Sequence, residues 1–282
     1  MKSQSASLIL RRNLCYIVLI ILTILSLFPF FILIINSTRS HNQIQLGFSV
    51  LPGVSFIDNF KTLITNDNIP VIRGLVNSVY VSAMSAVLTT YFSCMTAYGI
   101  YMYRFKGRQF TFRFILLVMM VPAQVSAAGF LKLLTKLGMM DKLVSLYIPA
   151  IAAPVVFFYL YQAMESTLPY SIVEAARVDG CNEFRTFNEV AIPMMKPSIA
   201  VQAIFAFVSS WNNYFTPALV ISTKTKKTVP ILIAELRSAD YQKFNMGTVY
   251  MQIFLSIVPL MIVYLFLSRS IIAGVTAGGV KE

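Results

Sequence analysis

One short stretch of the chain combines aromatic and amide side chains in a pattern that suits the binding of hydroxylated solutes. It is the run Trp211, Asn212, Asn213 and Tyr214, which holds the only tryptophan of the chain. Aromatic faces stack on C–H surfaces, and amides both donate to and accept from hydroxyl groups. We group Gln124 with these four residues as candidates for a polar path. Two other interpretations stay open: hydrogen bonds between packed helices for the amides, and an interfacial aromatic belt for Trp211 and Tyr214.

Residues for catalysis, metal binding or nucleotide binding do not occur at the required spacings. The cysteines Cys15, Cys94 and Cys181 form no CxxC pair, and His41 is the only histidine. These few residues make a zinc site or a disulfide framework a poor interpretation. The sequence contains no HExxH, GxSxG or GxxxxGK[ST] pattern, so we expect no catalytic residue, no metal and no cofactor bound by this chain. If the protein moves a solute uphill, the energy should come from a partner.

The composition places the chain in a bilayer. Of its 282 residues, 57% are hydrophobic and 12% are charged, against about 45–50% and about 25% in soluble domains. Backbone groups in lipid must be bonded internally, so we predict an all-α polytopic membrane protein with six transmembrane helices. Six segments are apolar enough and near the length needed to cross the hydrocarbon core: Leu14–Ile35, Gly74–Gly99, Phe114–Leu131, Leu143–Met164, Pro197–Ile221 and Gly247–Leu267.

These spans define the predicted domain organisation. Residues 1–13 form an N-terminal segment, 14–268 a single permease domain that includes a loop at 165–196, and 269–282 a tail. The first span resembles a signal peptide because Arg11 and Arg12 precede it. Its apolar run is longer than that of a signal peptide and no A-x-A site follows, so we expect a retained helix.

Charge placement predicts the orientation. The segment Tyr103–Arg113 carries four positive charges and no acid. The positive-inside rule therefore places it in the cytoplasm, and an even number of spans puts both termini on the same side. We assign the net charge of +12 to basic loops at an anionic membrane surface and not to nucleic-acid binding. The interiors of the spans contain no Asp, Glu, Lys, Arg or His, which argues against a proton-coupled carrier, although ion-coupled carriers can use backbone carbonyls.

The loop between spans four and five is predicted to fold as two short helices. Pro169 suits the first turn of a helix over Tyr170–Asp179, and Gly180 suits a left-handed position at its end. Asn182 can cap a second helix, which Pro193 should end before Pro197 opens span five. The first helix carries Glu174-Ala175-Ala176, where small residues permit close approach and the glutamate offers an ionic anchor. It fits either a groove in another protein or the alternative of a solvated amphipathic loop.

The same loop resembles the EAA loop of the membrane subunits of binding-protein-dependent ATP-binding-cassette importers. The matching residues are Glu174–Gly180 and, nine residues after the glycine, Val190–Pro193. The latter replaces isoleucine by valine and leucine by isoleucine, and Cys181 replaces a small alanine. Two further stretches, Trp211–Pro217 and Gly274–Lys281, resemble the second permease subunit of maltose-type importers, in the carbohydrate branch of the family. The resemblance covers nearly the whole chain.

The resemblance implies a type I importer transmembrane domain whose EAA helix is a cytoplasmic coupling helix. This helix would dock in a cleft of an ATPase dimer, and that dimer would hold ATP and Mg²⁺. Glu174 would pair with a basic residue of the ATPase, and Ala175 and Ala176 would form the contact face. The implied coupling residues are Glu174, Ala175, Ala176, Asp179, Gly180 and Pro193. Other implied partners are membrane lipid, a second homologous permease subunit, and an extracytoplasmic sugar-binding protein that meets the loop Ser222–Asn245. The tail from Gly274 would reach toward the ATPase.

The expected function is translocation of a sugar, of which an oligosaccharide is favoured by the resemblance alone, across a bacterial cytoplasmic membrane. One alternative is an importer of the same class for another solute, such as a phosphorylated polyol. A phosphate would favour Arg or Lys near the path, and no span contains one. The other alternative is an autonomous channel or secondary carrier. In maltose-type importers the partner permease can hold most sugar contacts. In that case this subunit would line the cavity without making the main sugar contacts.

Overall fold

A computed structural model describes residues 2–66, 69–238 and 245–279, with side chains left out of the description at 2–7, 9–10, 123, 238 and 267–279. The chain divides into two compact units. The first comprises Met1–Asn68 and Leu236–Leu255, and the second comprises Ile69–Glu235 and Ser256–Glu282. Of the predicted tail, the backbone is helical to Gly279, and residues 280–282 lie outside the described residues.

The described residues form helices joined by turns and irregular stretches. The α-helices are α1 Lys2–Ser37, α2 His41–Gln45, α3 Phe56–Ile64, α4 Val71–Met102, α5 Arg108–Met119, α6 Ala123–Lys136, α7 Val144–Tyr147, α8 Pro154–Thr167, α9 Tyr170–Val178, α10 Glu183–Thr186, α11 Ile192–Trp211, α12 Phe215–Val220, α13 Val229–Ser238 and α14 Met246–Gly279. Short 3₁₀ segments lie at Ile148–Ile151 and Lys224–Lys226, and a π-helical segment lies at Phe187–Ala191.

Five helices of the described chain are long and apolar enough to cross a membrane, and they correspond to five of the six predicted spans. They are Arg11–Ser37, Val71–Met102, Val144–Thr167, Glu183–Trp211 and Met246–Phe266. The remaining predicted span, Phe114–Leu131, is not one straight helix: α5 and α6 meet there at a bend of 102°, and the pair counts as one broken span or as a re-entrant loop. Pro122 precedes α6 with extended backbone (ψ 133°). A proline also disfavours helical geometry at the residue before it, which explains the break.

The predicted boundaries around span five are wrong. The structure runs one continuous helical segment from Glu183 to Trp211, so Pro193 does not end a helix and Pro197 does not open one. The π-helical segment makes this possible: the Ile192 N–H bonds back five residues to the Phe187 carbonyl just before the first proline. The wider turn helps accommodate the proline's missing N–H and its ring. The segment ends at Trp211, ten residues before the predicted end.

In the first unit, the end of α1 is fixed by a network of polar contacts. The Asn59 amide donates to the carbonyls of Ser37 and Arg39, at 2.9 and 3.0 Å. Gly247 must be glycine there, because a Cβ would lie 2.6 Å from the Asn59 Oδ1. His41 accepts the Met246 N–H at 3.1 Å, so the single histidine has a structural contact. The apolar side chains along α1 are largely exposed, as expected for a helix whose neighbours are lipid or another subunit.

In the second unit, α4 is the long central helix. Its 32 residues span about 48 Å, and it packs against α8 and α11. An extensive apolar cluster joins the C-terminal half of α4 to α8, to Val173 of α9 and to Phe187 of the π-helical segment. The EAA helix is therefore seated on the core of this unit.

Candidate functional site

A cleft of about 1150 Å³ opens in the second unit between α4, α6, α8, α11 and α12. The described residues of its walls include no Asp, Glu, Lys, Arg or His, and their polar side chains are hydroxyls and amides. They are Ser85, Thr89, Ser126, Ser145, Tyr159, Gln202, Ser209, Ser210, Asn213 and Thr216. Phenylalanines and aliphatic side chains fill the remaining wall. Such a surface can bind a neutral hydroxylated molecule by hydrogen bonds and by apolar contact.

Only one of the five predicted path residues lines this cleft. Asn213 does so, while Gln124, Asn212 and Tyr214 are exposed and lie outside its lining. Trp211 is 3% exposed and stacks on Phe207 with ring centroids 5.9 Å apart, inside an apolar cluster. It lies neither on the cleft wall nor in an exposed aromatic belt.

Sequence reasoning missed the α4 side of the cleft. Ser78, Ser82, Ser85, Thr89 and Ser93 recur every three or four residues and are all buried. This spacing puts them on one helix face, and it is the signal that could have identified them. Ser85 accepts from the Ser210 hydroxyl at 3.2 Å, and Thr89 donates to the Ala150 carbonyl at 3.0 Å.

The EAA helix α9 has one buried face and one exposed face. Val173 and Ala176 are buried at 0% and 8% exposure, whereas Glu174, Ala175 and Val178 point outward, the last at 87%. The expectation that both alanines form a contact face is therefore wrong for Ala176. Residues three apart lie on one face of a helix, so Ala176 follows Val173 into the core. The outward face instead gains Val178, which the sequence analysis did not single out.

The end of α9 forms as predicted from its residues. Gly180 adopts φ +83°, and its N–H bonds the Arg177 carbonyl while the Cys181 N–H bonds the Ala176 carbonyl. This pair of bonds is the Schellman motif, in which the left-handed residue is favourably glycine. Asp179 occupies the C-cap position. Asn182 then caps α10 by accepting the Arg185 N–H at 2.8 Å, which confirms the predicted cap.

A charged and aromatic cluster surrounds the C-terminal end of α9. Arg177 donates to both carboxylate oxygens of Glu183, at 2.7 and 3.3 Å, and lies over the Tyr103 ring. The Tyr98 hydroxyl donates to Glu183 at 3.2 Å. The hydrogen bond to Glu183 raises the pKa of Arg177.

The opposite end of α4 carries a second polar anchor. Asn77 donates to the carbonyls of Thr225 and Lys227, at 2.9 and 3.0 Å, and Ser78 accepts the Val229 N–H at 2.8 Å. These two side chains are hydrogen-bonded to the backbone of the segment after α12. Segment 222–229 and the EAA helix therefore lie at opposite ends of a membrane-length helix.

Asp141 completes this anchor from the loop between α6 and α7. Its Oδ1 accepts the N–H groups of Ser222 and Thr223, both at 2.9 Å, and its Oδ2 accepts from Lys226 at 3.0 Å. The hydrogen bond from the Thr223 hydroxyl, followed by the other contacts, holds the pKa of Asp141 well below its usual range. Over residues 222–238 the predicted loop Ser222–Asn245 is an ordered segment that continues into α13, and residues 239–244 lie outside the described residues.

A neutral cleft between long apolar helices, with an EAA helix at one end, defines a membrane-spanning transport subunit. The sequence matches the family "Binding-protein-dependent transport system inner membrane component" over residues 89–276, and the chain belongs to this family. It is 34% identical over 267 residues to the arabinooligosaccharides transport system permease protein AraQ of Bacillus subtilis, with 92% of each chain covered. It is 30% identical over 266 residues to the lactose transport system permease protein LacG of Rhizobium radiobacter, with 94% and 95% covered.

The fold also matches a solved structure of this class. A bacterial ABC transporter involved in the import of the acidic polysaccharide alginate gives a TM-score of 0.79 at 21% identity, covering 91% of this chain and 95% of the other. The match confirms the all-α fold class of an ABC importer transmembrane domain, and it bears on the fold alone.

Proposed function

We propose that the chain is the permease subunit of an ATP-binding-cassette importer for a neutral sugar, with an oligosaccharide as the favoured substrate. The observation that carries the proposal is the cleft, whose described lining has ten polar side chains and no formal charge. Its volume of about 1150 Å³ exceeds the usual range for small-ligand sites, about 300–1,000 Å³. The relatives named for arabinooligosaccharides and lactose transport support the substrate class.

The charge of the cleft disfavours a phosphorylated polyol. Arg and Lys are the side chains that pair with a phosphate, and the described cleft lining includes neither of them. Hydroxyl and amide groups satisfy sugar hydroxyls without a net charge in the membrane. This balance favours the neutral solute over the charged one.

The proposal includes an ATPase at the EAA end of the second unit. Glu174 and Ala175 lie on the exposed face of α9, beside the apolar side chain of Val178. The basic segment Tyr103–Arg113 follows the end of α4 that contacts α9, so both features lie at the same end. This agreement supports a cytoplasmic placement for that end and, with an even number of spans, for both termini. ATP and Mg²⁺ would be held by the ATPase dimer.

The remaining partners follow from the same arrangement. The segment Ser222–Ser238, at the opposite end, would meet an extracytoplasmic binding protein. The cleft lies on one chain and is open, so a second homologous permease would close it. Bacterial membrane lipid would surround the exposed faces.

The experiment is reconstitution of the complex that copurifies with this chain from its native membranes in gentle detergent. A P-loop ATPase and a second EAA-bearing permease should copurify. Proteoliposomes with the binding protein should take up labelled arabinooligosaccharides or lactose only with ATP, and should not take up glycerol 3-phosphate. Uptake by the purified chain alone, without ATP, would contradict the proposal and indicate a channel or carrier.

The coupling role of Glu174 has its own test. Glu174→Lys should lower uptake at least about tenfold, the effect of about 1.4 kcal/mol, because it places a like charge against a basic partner. Glu165→Lys, at another exposed glutamate of the same loop, is the control and should stay near wild type. Unchanged uptake in Glu174→Lys would rule out its coupling role.

A further inference from the structure

The side chain of Arg177 joins three elements of the second unit. Its Nε and one terminal nitrogen donate to the two carboxylate oxygens of Glu183, at 2.7 and 3.3 Å. Its guanidinium carbon lies 5.6 Å from the centroid of the Tyr103 ring. Arg177 belongs to α9, Glu183 opens α10, and Tyr103 directly follows α4. One guanidinium is therefore held by the ends of two other helices.

The geometry of this contact is restrictive. A planar guanidinium bonded to both oxygens of a carboxylate is fixed in orientation as well as in distance. Glu183 is in turn held by the Tyr98 hydroxyl of α4, at 3.2 Å. The side chains of Arg177 and Glu183 are 34% and 42% exposed, so water screens the pair in part. The pair therefore acts mainly by fixing the relative orientation of the two side chains, and its Coulomb energy contributes less.

Two of the helices joined by this cluster also line the cleft. α4 contributes Ser85 and Thr89 to the cleft wall, and the helix that begins at Glu183 contributes Gln202 and Ser210. We propose that Arg177 is a positioning residue that makes α9 move as one body with α4 and with the helix from Glu183 to Trp211. Resting on the proposed function, this means that a displacement of α9 by the ATPase reaches two walls of the cleft together.

Removal of the Arg177 contacts should leave α9 seated. Its N-terminal end is held separately, because the Tyr170 hydroxyl donates to the Tyr101 carbonyl at 2.9 Å and the two rings lie 4.8 Å apart. Val173 is fully buried in the apolar cluster. What changes is the connection of its C-terminal end to α4 and α10.

The chain offers a matched control pair a few residues away. Arg185 and Glu189 form an ion pair of the same residue types at 2.8 Å, but they lie one turn apart on a continuous helical segment and are 61% and 59% exposed. This pair joins no separate elements. Arg185→Ala and Glu189→Gln therefore remove an arginine–glutamate contact of the same loop without removing a connection between helices.

The test uses the whole importer in proteoliposomes, with its binding protein and the labelled oligosaccharide that the wild type takes up fastest. The measurements are substrate moved per ATP hydrolysed and ATPase bound per permease. Arg177→Ala and Glu183→Gln should lower the first ratio about fivefold or more, the lower range of coupling effects between sites. They should leave the second ratio unchanged. Arg185→Ala and Glu189→Gln should leave both ratios near wild type.

Three outcomes would overturn the proposal. The first is a wild-type transport ratio in both Arg177→Ala and Glu183→Gln. The second is a loss of bound ATPase with an unchanged transport ratio, which would make the cluster an assembly contact only. The third is an equal loss in the control variants. Failure of the proposed function itself is distinct, because the wild-type complex would then show no ATP-dependent uptake at all.

Discussion

The anchor at Asp141 gives the most quantitative prediction. Its Oδ1 accepts two backbone N–H groups of Ser222 and Thr223, and its Oδ2 accepts from Thr223 and Lys226. Asp141 also has φ 57°, a left-handed conformation that Asp and Asn tolerate better than other non-glycine residues. Asp141→Ala removes all of these bonds and adds the backbone cost. Asp141→Asn keeps one acceptor oxygen and the backbone tolerance but loses the charge.

The size of each effect follows from these contacts. Four bonds to a charged acceptor would be worth more than about 1.5 kcal/mol each if no donor regained water. The segment after α12 is largely exposed, so its donors bond to water when the segment opens. Most of the free energy of the four hydrogen bonds is therefore recovered from solvent. Together with a left-handed cost of about 1–2 kcal/mol for Ala, we expect about 3 kcal/mol for Asp141→Ala. For Asp141→Asn we expect about 1 kcal/mol, the loss of the interaction with Lys226.

Limited trypsin digestion measures this opening, because the segment contains Lys224, Lys226 and Lys227. When opening is faster than cleavage, the cleavage rate follows the population of the open form. Cleavage should therefore rise about a hundredfold in Asp141→Ala and about fivefold in Asp141→Asn, since 1.4 kcal/mol is a factor of ten. Cleavage at Lys106, at the other end of α4, serves as the internal control. Rates within twofold of wild type in both variants would refute the reasoning, and equal rates in the two would refute the role of Oδ1.

The pH dependence of this anchor has a definite sign. Because hydrogen bonds from Thr223 lower the pKa of Asp141, its contribution is complete above the unfolded value of about 4 and is lost as the pH falls further. Hydrogen exchange of the Ser222 and Thr223 amides should show equal protection factors at about pH 5 and about pH 7. A loss of protection between these two values would contradict the assignment.

Two further predictions compare matched residues. Gln202→Ala should reduce uptake, because the Gln202 amide lines the cleft. Gln162→Ala is the control and should leave uptake unchanged, because Gln162 is an exposed residue of α8 outside that lining. Equal effects of the two variants in transport assays would show that Gln202 is not part of the path. Gly180→Ala should destabilise the protein by about 1–2 kcal/mol because of its φ of +83°. Gly99→Ala, inside α4 with open space around the added Cβ, should be neutral or stabilising. Thermal unfolding in detergent measures both changes in stability. A larger loss of stability in Gly99→Ala than in Gly180→Ala would contradict the prediction.

Local features of the loop at 165–196 could be predicted because they depend on neighbouring residues. The caps at Gly180 and Asn182 follow from a positive φ and from a side-chain acceptor, which the residue types themselves specify. The continuity of the helix through Pro193 could not be predicted. A proline ends a helix by local rules, and the π-helical turn that accommodates it forms where Phe187 packs on Tyr91 and Tyr98 of a distant helix.

The sequence by itself determined the membrane location, the helical class, the family and the EAA helix. These depend on composition, on segment length and on residues close together in the chain. Only the tertiary structure decided which side chains face the cleft. It buried Trp211 and Ala176, placed Asn213 on the wall, and brought Ser85 and Thr89 beside it. The physical reason is that a helix specifies the spacing of its faces, whereas its packing partners decide which face is covered.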